Sequence, residues 1–222
     1  MLNAIPIVMI RNEENYIAQV LGCLRAAFRQ VMVGDTGSTD GTMEIVTRIP
    51  GCHVIEYEEQ DSRVLGWVRK DMSERAIKMG FEWGFLVDGD EIYHPQALKL
   101  FLERGMPPGK TLGFSKLLTL EQDGGMLWET TDVYDRTLVF RLDDAWSGDY
   151  PYEFPMAFRD KALYHYYDEF PPGFDIHGYH LHRLRRSQHD EWVYMRRKKQ
   201  KQFAMQEKAF AKTRPVARWP QP

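Results

Sequence analysis

The sequence predicts an α/β fold, a mostly parallel sheet with helices on both faces. Two observations predict it. Short apolar runs alternate with stretches of helical spacing over roughly the first hundred residues, in the order β-α-β-α-β-α-β. Polar clusters then fall where three of those strands end, at Arg11–Glu14, Asp35–Asp40 and Asp88–Glu91. Open α/β sheets bind ligands at the carboxyl edge of their strands.

The elements follow in order. Ala4–Ile10 is the first strand. Glu14–Phe28 is a helix, with Ile17, Val20, Leu21, Leu24 and Phe28 on one face. Gln30–Gly34 is the second strand, and Asp40–Ile49 a helix with Met43, Val46 and Ile49 inward. His53–Tyr57 is a short strand, Val64–Met79 a third helix and Phe81–Val87 a buried strand, bounded by Gly and Asp. After Pro95 the pattern changes. Gln96–Arg104 is a helix ended by Gly105 and Pro107. Thr111–Phe140 reads as antiparallel strands with turns at Asp123-Gly124-Gly125 and at Asp135. Asp143–Gly173 is aromatic-rich and loop-like. Gln188–Phe210 reads as a helix, with Ser187 as cap and Asp190 and Glu191 at its positive end. The tail Thr213–Pro222 reads as irregular. The expected division is one domain over 1–186, with halves 1–94 and 95–186, then a helix and tail over 187–222.

Composition narrows the function classes. A chain of 222 residues with 43% hydrophobic and 13% aromatic content builds a full core. A net charge of −3 commits it to neither nucleic acid nor membrane. No stretch approaches the ~20 apolar residues of a membrane span. There is no signal-peptide pattern at the start. Cys23 and Cys52 show no metal-binding spacing and point to a reducing compartment. A cytoplasmic location is expected, with the inner membrane face as a peripheral alternative.

The chemistry gathers at strand ends. In Asp88-Gly89-Asp90-Glu91, carboxylates this close repel unless a hard divalent cation such as Mg²⁺ or Mn²⁺ neutralises them. In Gly34-Asp35-Thr36-Gly37-Ser38-Thr39-Asp40-Gly41-Thr42, glycines permit close backbone approach. Asp35 can accept hydrogen bonds from a ligand, and the following helix start favours anions. An ordinary acidic turn and an ordinary strand-to-helix turn remain open for each segment alone.

Together these segments resemble the family 2 glycosyltransferases of the GT-A fold. Val8-Met9-Ile10-Arg11-Asn12-Glu13-Glu14, Val33 to Thr42 and Leu86-Val87-Asp88-Gly89-Asp90-Glu91 carry the likeness, in order and spacing. It is closest to the branch with NEE after strand one and DTGSTDGT after strand two. The resemblance implies a nucleotide-sugar donor, a divalent cation and inversion at the anomeric carbon. Asp35 would contact the base, commonly uracil, and Arg11 and Glu13 would border base and ribose. Asp88 would bind ribose or support the metal, and Asp90 would ligate it. Glu153, after Trp146-Ser147-Gly148, would be the general base, with Asp144 and Asp149 as substitutes. Arg69 matches the arginine of the family's third helix, but the asparagine that usually follows is Lys70 here. Tyr152 stands where a histidine is common. A late histidine, His182 or His180, would complete the metal shell.

Other residues keep two readings. Trp146, Tyr150, Tyr152, Phe154 and Phe158 suit core packing or a sugar-stacking wall. Arg183, Arg185 and Arg186 could neutralise a diphosphate, while Arg196, Arg197, Lys198, Lys199 and Lys201 suit the solvated face of a helix. The acceptor could be a glycan, a lipid-linked saccharide, a protein or a nucleic acid. Two rival functions share these features. A nucleotidyltransferase of related fold would grip a triphosphate after strand one, where this chain has acids. A non-catalytic polyanion binder would use the basic helix.

Overall fold

The computed structural model describes residues 1–58, 65–106, 112–123, 126–143, 178–181 and 212–216. Its first half alternates β1 (Ala4–Ile10), α1 (Ile17–Arg25), β2 (Val31–Asp35), α2 (Thr42–Thr47), β3 (Cys52–Glu56), α3 (Leu65–Lys78) and β4 (Trp83–Asp88). The strands lie in the order β3-β2-β1-β4, all parallel. This is an α/β arrangement with a parallel sheet between helices. Ile10 of β1 pairs with Asp35 of β2, and Met9 pairs with Asp88 of β4. Asp35 and Asp88 therefore flank the same end of the central strand.

Side-chain alternation divides the core into two layers. Ile5 and Ile7 of β1, Met32 of β2 and Leu86 of β4 pack with Val68, Met72 and Ala76 of α3. Val8 and Ile10, Val31 and Val33, and Phe85 and Val87 take the opposite face, with Ile17, Val20, Leu21 and Leu24 of α1. Successive side chains of a strand point to opposite faces. Strands covered on both faces must be apolar throughout, which is why they read as runs rather than alternations.

The second half is a mixed extension. β5 (Glu91–Tyr93) follows the acidic turn, and α4 (Pro95–Arg104) follows β5, with Pro95 in its first turn and Gly105 beyond its end. β6 (Leu112–Asp123) and β7 (Met126–Arg141) form a long antiparallel hairpin joined to β4 through β7. β8 (Gly178–His180) lies between β6 and β5, parallel to one and antiparallel to the other. β9 (Lys212–Pro215) adds to β7.

Three expectations are corrected. Asp135 does not turn the chain: it pairs with Lys116 in the ladder, and bulges at Gly113/Phe114 and Leu118/Leu120 absorb the irregularity instead. Asp135 has no Gly or Pro beside it to break a strand. Thr213–Pro215, part of the tail expected to be irregular, belongs to a strand, Lys212–Pro215, paired with Trp128, Glu129 and Thr130. α1 begins at Ile17, not Glu14, because Glu13 to Tyr16 form a turn whose Tyr16 and Ile17 N–H groups both donate to the Glu13 carbonyl. The predicted helix Gln188–Phe210 lies outside the described residues. Among the described residues, no helix is long and apolar enough to cross a membrane.

Candidate functional site

The strand-end loops are built on one another. Asn12, the first turn residue after Arg11, has a left-handed φ of 54°, a conformation asparagine tolerates better than most residues. That turn sends its N–H to the Ser38 hydroxyl (3.0 Å) and lets Asn12 Oδ1 accept from the Thr39 N–H (2.8 Å). Next along, the Glu13 N–H donates to Thr42 Oγ1 (2.7 Å), and the Gly41 N–H donates to Glu14 Oε2 (3.1 Å). Thr36 closes the inner end by donating both its N–H and its hydroxyl to the Ile10 carbonyl. The Asn-Glu-Glu and Asp-Thr-Gly-Ser-Thr-Asp-Gly-Thr segments thus form one clasp.

The clasp changes the reading of the α2 start. The Thr42 N–H donates to Asp40 Oδ1 (2.9 Å) while the Gly41 N–H is taken by Glu14. Carboxylates of this chain occupy these two of the donors that an incoming anion would use. Two of the donors expected to favour an anion at that helix start are thus engaged within the chain.

Asp35 sits inside the clasp, 4% exposed. Its Oδ2 accepts from the N–H groups of Gly37 (3.2 Å) and Ser38 (3.0 Å), and its Oδ1 accepts from the Ser38 hydroxyl. Gly37 has φ 98°, a turn conformation that a side chain would strain. Tyr57, just past β3, donates its N–H to the Asp35 carbonyl and its hydroxyl to Asp71 (2.7 Å). Burial, followed by the hydrogen bond and charge of Asp71, pushes the Tyr57 phenol pKa up, so that donor stays protonated.

The acidic turn is held from both sides. The Gly89 N–H donates to the Met9 carbonyl, and the Asp88 N–H donates to Glu91 Oε2 (3.1 Å). Tyr93 Oη donates to the same Glu91 oxygen (3.2 Å). Glu91 is fully buried, so it closes the turn rather than facing a ligand. Glu13, 3% exposed, packs behind Gly89: a Cβ there would stand 2.7 Å from Glu13 Cγ. Only glycine fits at the centre of Asp-Gly-Asp.

Two charged pairs complete the edge. Arg69, 1% exposed on α3, donates from Nη2 to Asp88 Oδ1 at 2.6 Å. Asp88 remains 28% exposed, so one side of it stays open to the site. Asp90 is 4% exposed and lies 3.6 Å from His180 Nε2. The antiparallel pairing of Glu91 with His180 and the bond from the Leu181 N–H to the Asp90 carbonyl bring them together. Burial lowers the His180 pKa, but the adjacent Asp90 carboxylate, with Glu91 and Asp88 behind it, raises it above the ordinary value overall.

The structure therefore brings Asp35, Arg69, Asp88, Asp90 and the half-buried Arg11 to one sheet edge, with Glu13 buried beneath it. Of the two candidate histidines, it places His180 beside Asp90. His182, Glu153, Asp144, Asp149, the aromatic segment and the basic residues after Leu181 lie outside the described residues. The sequence does not mark Ser38, Asn12 and Thr42 as partners of the site, since their role is reciprocal bonding between loops 26 to 29 residues apart. Among the described residues, no group of three or more His, Cys, Asp or Glu is gathered to hold an ion unaided.

No protein-family model matches the chain, and no curated protein matches it. Solved structures to which it is similar include proteins solved with bound nucleotide sugars. One is S. aureus TarS 1-349, 25% identical over 56% of this chain and 38% of that one, with a TM-score of 0.43. TarS 1-349 has also been solved with UDP-GlcNAc. Glucosyl-3-phosphoglycerate synthase from Mycobacterium tuberculosis, solved with Mn²⁺, UDP-glucose and phosphoglyceric acid, is 18% identical over 55% of this chain and 45% of that one, with a TM-score of 0.37. A 4-diphosphocytidyl-2C-methyl-D-erythritol synthase is 13% identical over 64% of this chain and 76% of that one, with a TM-score of 0.46. The chain spans well under half the length of the TarS structures. All these TM-scores lie below one half, so the functional reading rests on this chain's own residues.

Proposed function

We propose that the chain is a metal-dependent, inverting glycosyltransferase that moves a sugar from a nucleoside-diphosphate donor, UDP foremost, to an acceptor hydroxyl. The observation that carries the reading is the convergence of Asp35, the Arg69–Asp88 pair and Asp90 with His180 on one sheet edge. Such an edge is where α/β folds bind nucleotides. The edge is acid-rich, and Arg69 is already engaged with Asp88. A diphosphate would be repelled there unless a cation lay between.

The donor set fits that cation. Asp90 offers a carboxylate oxygen and His180 an imidazole nitrogen, ligands that Mn²⁺ accepts. Mg²⁺ and Mn²⁺ in such sites are commonly held by one or two side chains plus substrate phosphates. Asp90 would hold the ion, with His180 or His182 beside it. When bound, it supplies Lewis acidity to the departing diphosphate.

The chain's own residues do the rest. Asp35 receives the base, and Arg11 and Glu13 border base and ribose, Glu13 from behind Gly89. Asp88, oriented by Arg69, presents its exposed oxygen to ribose or to the ion's shell. Glu153 takes the acceptor's proton, a role supported by the sequence resemblance. The clasp between the first two loops holds Asp35 in place. The acids after β1 and the occupied donors of α2 disfavour the triphosphate grip of a nucleotidyltransferase.

The test is calorimetric titration with UDP, with and without Mn²⁺, on the protein and on Asp90→Ala. Binding that requires Mn²⁺ and vanishes in the variant is expected. A folded protein that binds no nucleoside diphosphate with Mn²⁺ present overturns the reading.

A further inference from the structure

The base-facing carboxylate is nearly saturated from within. A carboxylate offers about four acceptor positions, two on each oxygen. The N–H groups of Gly37 and Ser38 fill both positions of Asp35 Oδ2, and the Ser38 hydroxyl fills one on Oδ1. One acceptor position remains, on Oδ1. The direction of the Ser38 hydroxyl is fixed as well. Its oxygen accepts the Asn12 N–H at 3.0 Å, so its own proton is directed to Asp35. The left-handed turn at Asn12 aims that N–H, and Asn12 Oδ1 ties the same turn to the Thr39 N–H.

We propose that Ser38 is a specificity-determining residue: by occupying Asp35 Oδ1 it leaves one acceptor, which selects a base edge with a single N–H over one with a two-donor fork. The inference rests on the proposed function and deepens it. The imide of uracil brings one N–H. Guanine brings a ring N–H and an amino group side by side, and that fork needs two free acceptor positions. With Oδ2 filled by the two backbone N–H groups and the Ser38 hydroxyl on Oδ1, the second guanine donor meets no acceptor and is desolvated without return.

The experiment compares UDP and GDP affinities, with Mn²⁺, for the protein and for Ser38→Ala, Ser38→Thr and Ser38→Cys. The unaltered protein is expected to prefer UDP by roughly tenfold or more, the size of one lost charged hydrogen bond. Ser38→Ala frees an Oδ1 position, so the UDP/GDP ratio should fall severalfold, while Ser38→Thr, which keeps the hydroxyl, restores it. Ser38→Cys, of similar size but a weak donor, should fall between and covers the case in which the alanine variant does not fold. A ratio unchanged in Ser38→Ala or Ser38→Cys, with both affinities lowered equally, would show a purely structural serine and overturn the inference while leaving the transferase reading standing. Absence of any nucleoside-diphosphate binding by the unaltered protein would instead defeat the reading beneath it.

Discussion

Asp88 and Arg69 form the pair whose loss should be felt most at a single position. Arg69 is 1% exposed, so removing Asp88 takes a carboxylate away from a buried guanidinium. Asp88→Ala is expected to cost about 3 kcal/mol, the low end for a broken buried pair, because Asp88 itself is partly hydrated. Urea unfolding measures this, and a loss under about 1 kcal/mol would mean that Arg69 is stabilised without Asp88. Gly89 gives a second residue-scale prediction. Gly89→Ala places a methyl 2.7 Å from Glu13 Cγ and 3.1 Å from Ile10 Cγ2. Overpacking of this kind costs about 1–3 kcal/mol. Glu13→Ala removes the closer atom, so the double variant should be more stable than the two single losses add up to. Strict additivity in a double-mutant cycle would contradict the contact. At this scale, Asp35, Asp88 and Asp90 were legible in the sequence, since acids at strand ends are visible in one dimension. The work of Glu91 was not: its burial follows from the Asp88 N–H and Tyr93 Oη that converge on it.

At the scale of elements, the clasp between the β1 and β2 loops is the feature that shapes the edge. The Glu13 N–H is satisfied by Thr42 Oγ1 at 2.7 Å, and Thr42 is fully buried. Thr42→Val keeps the shape and removes the acceptor, leaving a buried donor at a cost of about 1–3 kcal/mol. Amide hydrogen exchange at Glu13 should accelerate in that variant while exchange in β4 does not. Equal protection at Glu13 in both proteins would show that another group satisfies it. The helices and strands of the first half were legible because their apolar spacing is local. The exceptions are α1 and α2, each of which starts later than its polar residues imply. Glu14 and Asp40 look like first-turn acids, yet they reach across to each other's loops. The short β5 and β8 carry too few residues to show a period, and they exist because each completes the other's ladder.

The whole molecule is a sheet whose parallel half sets the edge and whose mixed half brings His180 back to it. The sequence order alone indicated the parallel half, because β-α-β connections leave little topological choice. The return of β8 between β6 and β5 was not legible, since its pairing joins residues about ninety positions apart. Yet that return is what sets an imidazole 3.6 Å from Asp90. Under the proposed function, the ends of β1, β2 and β4 act together as one nucleotide-sugar site. The most direct measurement is the affinity for UDP in Mn²⁺ across the unaltered protein, Asp35→Asn, Asp88→Asn and Asp90→Asn, each shown to be folded. The account predicts that each variant loses tenfold or more, whether it lies at the end of β2 or of β4. Unchanged affinity in all three would place any nucleotide elsewhere and contradict it.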